Sequence, residues 1–378
     1  MLHPDPDKIA AVVHTALDKL PRKFKPRDGE WVPLSGIVAE TPGMDGEVLE
    51  CVALGTGMKV LPTSKIPLAK GCVLHDCHAE VEIFVLFPSV GCRRLSVDPS
   101  YKSPYIQRTA ESTQPFEIPP STKLHFYSSE APCGDSSMEL TMASQLDATP
   151  WPLPAAADTS HLRGRGFFSL LGVVRLKPGR RDSPATSAKS CSDKLALRQC
   201  VSLLLTPTSY LISPRNAYIS TLVLPSSSYS PTACTRAFRT RMAGLEGKKW
   251  GGWYAFQPFD VVTTKIEFVY SRREQGRSSN ISAVVVANKG CEVLIGGVKQ
   301  GRKQFLGEAA GSILCKLKLW RAVSELMPQV QRPKYADLKP ASSLRENVKT
   351  EVRSVLGGWI RTGGDDFDFG ADADKTDN

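Results

Sequence analysis

Three short segments set the tightest limit on how this chain folds: His75-Asp76-Cys77-His78-Ala79-Glu80, Ala131-Pro132-Cys133-Gly134-Asp135 and Lys189-Ser190-Cys191-Ser192-Asp193-Lys194. Each carries good metal ligands, and none carries enough to hold an ion alone. If they serve one site, residues 78, 133 and 191 must converge, which demands a core that joins distant parts of the chain. One imidazole and two thiolates hold a divalent ion such as Zn²⁺ in a tetrahedron whose fourth position stays open to water. The ion then lowers the pKa of that water toward 7. A nearby carboxylate that is not a ligand has to move the protons, and Glu80 stands two residues after His78.

Each piece alone is weak. His78 also reads as a helix-start histidine bonded to a backbone carbonyl, and Cys133 as a small buried thiol. Their order is more specific, because His-x-Glu followed by Pro-Cys is the signature of zinc deaminases. Cys133 follows Pro132 where a helix should begin, and a helix N-terminus favours thiolate. The compact pattern Pro-Cys-x-x-Cys would put its second thiol at 136, where this chain has Ser136. The third ligand must come from elsewhere. Cys191 is the best candidate, since Cys77 would have to point the same way as its neighbour His78.

Charge and cysteine usage narrow the setting. The 378 residues carry a net charge of +10, and the acidic end from Gly363 to Asn378 holds six Asp and one Lys, so the rest is more basic still. That excess suits a polyanionic partner, although charge alone fits a merely soluble surface equally well. No apolar run reaches the roughly 18 residues needed to span a bilayer, and no signal peptide opens the chain. Ten scattered Cys do not form a secreted disulfide framework. The expected setting is intracellular, in nucleus or cytoplasm, with thiols reduced and no membrane contact.

Local patterns place the segments. Asp5-Pro6 caps a helix whose stripe Ile9, Val12, Val13, Ala16, Leu17 and Leu20 stops at Pro21. Strands are expected at 36–38 and 48–54 around a turn at 41–46, then at 123–129, 281–288 and 292–295. Helices are expected at 191–205, 308–326 and 342–356, a loop at 148–165, and a disordered tail after residue 363. No repeat and no clean linker divides the chain. One α/β domain over 1–362, with an acidic tail at 363–378, is the simplest account.

The distant Ser-Cys-Ser-Asp-Lys that carries the last ligand resembles the RNA adenosine deaminase (editase) family, and within it the fungal tRNA-acting members. Further matching runs are Gly57-Met58-Lys59, Arg163-Gly164-Arg165, Leu171 to Pro178, Gly296 to Gly301 and Leu356-Gly357-Gly358-Trp359. The resemblance covers nearly the whole chain. It implies a mixed central sheet flanked by helices, with zinc at helix N-termini. It also implies hydrolytic deamination of adenosine to inosine in tRNA, at the adenosine 3′ of the anticodon in alanine tRNA, without an obligate protein partner. His78, Cys133 and Cys191 would then hold zinc, and Glu80 would be catalytic.

The same resemblance implies a buried inositol hexakisphosphate at Lys194, Lys316, Tyr335, Lys339, Lys349 and Trp359, with Asp76 relaying to the metal. From sequence alone those lysines read as surface residues. Lys59 is a matched phosphate contact; Arg163 and Arg165 are RNA contacts on charge grounds or a solvated basic loop. The chain departs from the family after Glu80, where Val81 to Gly91 is apolar and broken by Pro88 and Gly91, so either the helix is short there or the segment reflects an imperfect gene model. Leu197 also replaces a basic residue, beside Arg198. Two rivals remain at this point. A cytidine or nucleoside deaminase would carry the compact Pro-Cys-x-x-Cys, and a non-catalytic RNA-binding zinc protein would carry a fourth ligand and lack Glu80.

Overall fold

The computed structural model describes residues 4–86, 92, 95, 98, 100–109, 114–149, 162–163, 167–177, 183–272, 276–286, 290–305, 307–327 and 334–363. Its frame is an eight-stranded sheet: β1 (Leu34–Gly43), β2 (Gly46–Thr56), β3 (Lys123–Ser128), β4 (Ile219–Pro225), β5 (Asp260–Thr264), β6 (Ile281–Val286), β7 (Gly290–Ile295) and β8 (Val298–Lys299). The spatial order is β5-β4-β3-β1-β2-β6-β7-β8. β5, β4 and β3 run parallel, and every pair from β3 to β8 is antiparallel. The sheet is therefore mixed, as expected. The β1–β2 pairing extends to Gly43↔Gly46, so the turn is tighter and both strands longer than their apolar runs suggest.

Alternation along the strands builds a core on each face. Val38, Leu54, Tyr127 and Val223 face one way, and pack under α1 (Pro6–Asp18) with Ile9, Val13 and Leu17. Asp5 caps this helix by accepting from the Asp7 N–H, and Pro6 occupies its first turn. Gly36 lets α1 sit close: a Cβ there would come 2.8 Å from both methyls of Val13. Ile37, Ala39, Leu124, Phe126, Leu222 and Leu224 face the other way, into the larger core. Against that face lie α2 (Ala79–Leu86), α4 (Cys191–Val201), α5 (Pro231–Phe238), α6 (Lys316–Ser324) and α7 (Ser343–Leu356); the short α3 (Met138–Ala143) follows Cys133. Among the described residues no helix is long and apolar enough to cross a membrane.

Two expected helices are shorter than their sequence patterns. The helix at 191–205 ends at Val201, because Ser202 turns to φ 61° and Arg198 Nη1 takes the carbonyls of Ser202, Leu203 and Leu204. The helix at 308–326 is a single turn at Glu308–Ala310 followed by α6. Between them Glu292 Oε2 accepts from Ser312 Oγ at 2.6 Å and from the Ile313 N–H at 3.0 Å, which pulls the backbone out of helical register. α2 is described from Ala79 to Leu86; residues 87–91, on which the expectation of a short helix turns, lie outside the described residues, as do most of 148–165 and all of the tail beyond Gly363.

Candidate active site

His78 ends a three-residue strand, Asp76–His78, paired to Met58–Val60, and α2 begins at the next residue. Cys191 is the first residue of α4, capped by Ser190, whose side chain accepts from the Asp193 N–H. Cys133 precedes a short turn, Asp135–Ser137, that leads into α3, so its helix starts two residues later than Pro132 suggested. The ligand atoms of His78, Cys133 and Cys191 all lie within 4.8 Å of one another. His78 Nδ1 is 3.8 Å from Cys133 Sγ and 3.6 Å from Cys191 Sγ. Cys77 stays out of the group: it is buried beside Glu82, and burial raises its thiol well above the usual range.

The two cysteine segments are stitched directly together. The Ser192 N–H donates to the Cys133 carbonyl at 3.0 Å, and the Cys191 N–H donates to Cys133 Sγ at 3.3 Å. Gly134 makes this possible at φ 104°, since a Cβ there would come 2.2 Å from Ser190 Oγ. Ser136, standing where a compact motif has its second thiol, is buried and bonded to Ser192 Oγ at 2.8 Å. Its job here is to pin the Cys133 loop to the start of α4. Hydrogen bonding from Cys191, with Lys177 and His78 nearby, draws the Cys133 thiol well below its ordinary value. One imidazole nitrogen and two thiols form a donor set that fits zinc. Among the described residues no fourth His, Cys, Asp or Glu completes the group.

Glu80 is 3% exposed, with Oε2 4.0 Å from His78 Nδ1. Burial pushes its carboxyl above the usual range, against the pull of His78, and Oε2 has no hydrogen-bond partner among the described residues. Beside it runs a charged chain. Asp76 accepts from the His78 N–H at 3.1 Å, from Lys177 Nζ at 2.8 Å, and from Lys194 Nζ. Lys177 Nζ also reaches Cys191 Sγ at 3.2 Å. Asp76 lifts the pKa of the buried Lys177 and is itself held far below the carboxylate range by Lys177 and Lys194, in spite of its burial. Lys177 thus places a fixed positive charge on a ligand thiol.

A cavity of about 1000 Å³ opens over these groups, lined by His78, Glu80, Cys133 and Lys177, with Met58, Lys59 and Pro184 in its walls. Lys59 is therefore at the site. Arg163 is not in the wall; its Nη1 donates to the carbonyl of Ser183, which is. Arg165 lies outside the described residues.

The adenosine-deaminase (editase) domain family matches residues 53–362. The chain belongs to that family. It is an adenosine deaminase. It is 34% identical to the tRNA-specific adenosine deaminase 1 of Schizosaccharomyces pombe, over 96% of each chain. It is 27% identical to the protein of that name from Saccharomyces cerevisiae, over 89% of this chain and 86% of the relative.

The enzyme has two further groups of charged residues, of which the resemblance had assigned a role only to Lys349. Beneath the cysteine loops, Arg236 Nε bonds Asp135 Oδ1 at 3.0 Å and Arg236 Nη1 bonds Glu139 Oε1 at 2.5 Å. Arg241 bonds Asp193 at 2.8 Å, and the Arg175 N–H donates to the same carboxylate at 3.0 Å. The second group lies between α4 and α7. There burial lowers Lys349 to about 7, Lys189 to about 8 and Arg198 to about 9. Arg345 Nε and Arg353 Nε lack hydrogen-bond partners among the described residues, and Arg353 lies 5.8 Å from the Trp359 ring. Lys316 is half-buried at the start of α6, Tyr335 is buried, and Lys339 is exposed, so the six residues are not uniformly enclosed.

Proposed function

We propose that this enzyme hydrolyses adenosine to inosine in tRNA, with zinc held by His78 Nδ1 and the thiolates of Cys133 and Cys191. The observation that carries the reading is Glu80: a buried carboxyl beside an open three-ligand centre, with an oxygen not committed to any neighbour. When bound, zinc would make water nucleophilic at neutral pH. Glu80 takes a proton from that water as its oxygen adds at carbon 6 of the purine, and returns protons to the ring nitrogen and the departing ammonia. Lys177 steadies the charge on Cys191, and Asp76 keeps Lys177 protonated. The target base has to leave its stack, which costs less in a loop than in a duplex. Lys59 in the wall and Arg163, bonded to Ser183 of the wall, are assigned to the RNA backbone, and Arg165, outside the described residues, is assigned there on charge grounds alone.

tRNA as substrate is supported by the names of the two fungal relatives and by the basic chain. The position 3′ of the anticodon in alanine tRNA is carried by the family resemblance. The domain is taken as 1–362, since α1 and β1 precede the matched region yet form part of the same sheet core. A structural inositol hexakisphosphate on Lys194, Lys316, Tyr335, Lys339, Lys349 and Trp359 is supported by the buried cations beside Lys349. When bound, it would supply the negative charge that these groups lack.

Incubating purified protein with a tRNA pool and sequencing for inosine tests the activity. Glu80→Ala should keep about one zinc per chain and lose deamination by roughly 10²- to 10⁴-fold, the usual weight of a proton shuttle. A wild-type protein that leaves every tRNA unedited, or a Glu80→Ala protein without zinc, overturns the assignment.

A further inference from the structure

One wall of the cavity comes from before the family match. Residues Glu30–Trp31 run parallel to Arg277–Ser278, in register Glu30↔Arg277 and Trp31↔Ser278. The Val32 N–H donates to the Tyr270 carbonyl at 3.1 Å and the Ser279 N–H to that of Trp31 at 2.9 Å. Val32 and Leu34 are buried in the core under α1, while Trp31 and Pro33 line the cavity. Alternation along the extended chain thus directs the indole to the mouth of the site. The ring is half-buried, held by a backbone bonded on both sides.

Cations surround it. The guanidinium of Arg272 lies 5.9 Å from the Trp31 ring centroid, and its backbone N–H is fixed by Glu130 Oε1 at 3.1 Å. Arg277, 73% exposed, pairs with Glu30 at 3.2 Å. Both arginines line the same cavity. At about 1000 Å³ this space is at the top of the range for small-molecule sites and exceeds what one nucleoside fills. An aromatic ring with flanking cations is how proteins hold single-stranded nucleic acid, because every base has a face to stack and every linkage a phosphate.

We propose that Trp31 is the stacking platform for a base next to the target adenosine, with Arg272 and Arg277 meeting the flanking phosphates. The assignment rests on the reading that the substrate is a tRNA loop, and it gives residues 30–33 a role in choosing which adenosine enters.

The test uses the full chain and the anticodon stem-loop of alanine tRNA, with 2-aminopurine placed in turn on each side of the target. Wild-type protein should quench one of the two probes. Trp31→Leu keeps apolar bulk without a π-face; it should bind without that quenching and raise KM about 10- to 100-fold with kcat little changed, as expected for a lost base stack. Trp31→Phe should restore most of both. Trp31→Leu protein that quenches and edits like wild type overturns the platform, and so does equal loss in the Leu and Phe variants, which marks simple packing. Wild-type protein that makes no inosine in any tRNA is a different failure: it removes the substrate reading, and the platform with it.

Discussion

The two ends of α4 bury charge in opposite ways. At its start, Asp193 and the neighbouring Asp135 meet Arg175, Arg236 and Arg241, and Glu139 closes on Arg236. Asp76 likewise raises the pKa of Lys177. Toward its end, Arg198 faces Arg345, and Lys349 faces Arg345 and Arg353; Glu346 answers Lys349 and Arg353, yet burial still lowers Arg198, Lys349 and Arg353. The first group matches three arginines with three carboxylates and so can hold the cysteine loops without an outside ion, although burial lowers Arg175 to about 10 and the adjacent Lys189 to about 8. The second holds more cations than carboxylates, and leaving a buried charge unpaired is costly. One helix thus links the clamp on the cysteine loops to the cation-rich region where a polyanion is proposed.

The largest expected effect lies at the clamp's purpose. Cys191→Ala should lose zinc and all measurable inosine formation, read by metal analysis and tRNA sequencing. Arg241→Met should next cost about 3–5 kcal/mol in chemical denaturation, because it strands buried carboxylates. Lys349→Met should cost about 3 kcal/mol in protein that retains the polyanion, and should stabilise protein made in a host without inositol polyphosphates. The same sign in both preparations would erase the contrast drawn here.

pH sharpens it further. Well below pH 7, Lys349 is charged in the folded and the unfolded chain alike. Between about 7 and its ordinary 10.5 the unfolded chain keeps the proton and the folded chain gives it up. The unfolded state then binds more protons, so stability should rise with pH across that window. A bound polyanion would hold Lys349 charged and flatten the rise, which melting curves with and without inositol hexakisphosphate will show. The smallest effect belongs to the cap: Ser190→Ala should cost about 1 kcal/mol, as lost N-caps do, with zinc retained.

Much of the site was legible because its chemistry is local. His78, Glu80, Cys133 and Cys191 sit in short motifs whose residue types admit few other uses together, and the structure gathers all three ligands. α1 and β3 were readable for the same reason, from a cap and a stripe and from alternation. Lys177 was not. It lies in a matching run, but nothing in its neighbourhood says that it folds onto Asp76, 101 residues away. Arg236 and Arg241 are equally silent, since ion pairs across the core leave no period. β4 is a short apolar run ended by Pro225, and β5 is a β-branched run, Val261-Val262-Thr263-Thr264; both could have been found. The helix assigned to 308–326 failed because Glu292, on another strand, competes for its backbone.

The wide separation of the two thiols has a consequence for how such a protein can change. Cys133 and Cys191 are 58 residues apart, where a compact motif would hold its thiols within one turn of chain. Closing a flexible loop costs free energy only as the logarithm of its length, so doubling this one adds only about 0.6 kcal/mol. Away from Asp135–Glu139 and Arg175–Lys177, which hold the site, the interval is therefore a place where the chain can lengthen or shorten at little expense to the metal centre. Because Ser183, Pro184 and Thr186 from the end of that interval line the cavity, new material there would arrive at the mouth of the site. Substrate choice can drift while the chemistry stays fixed.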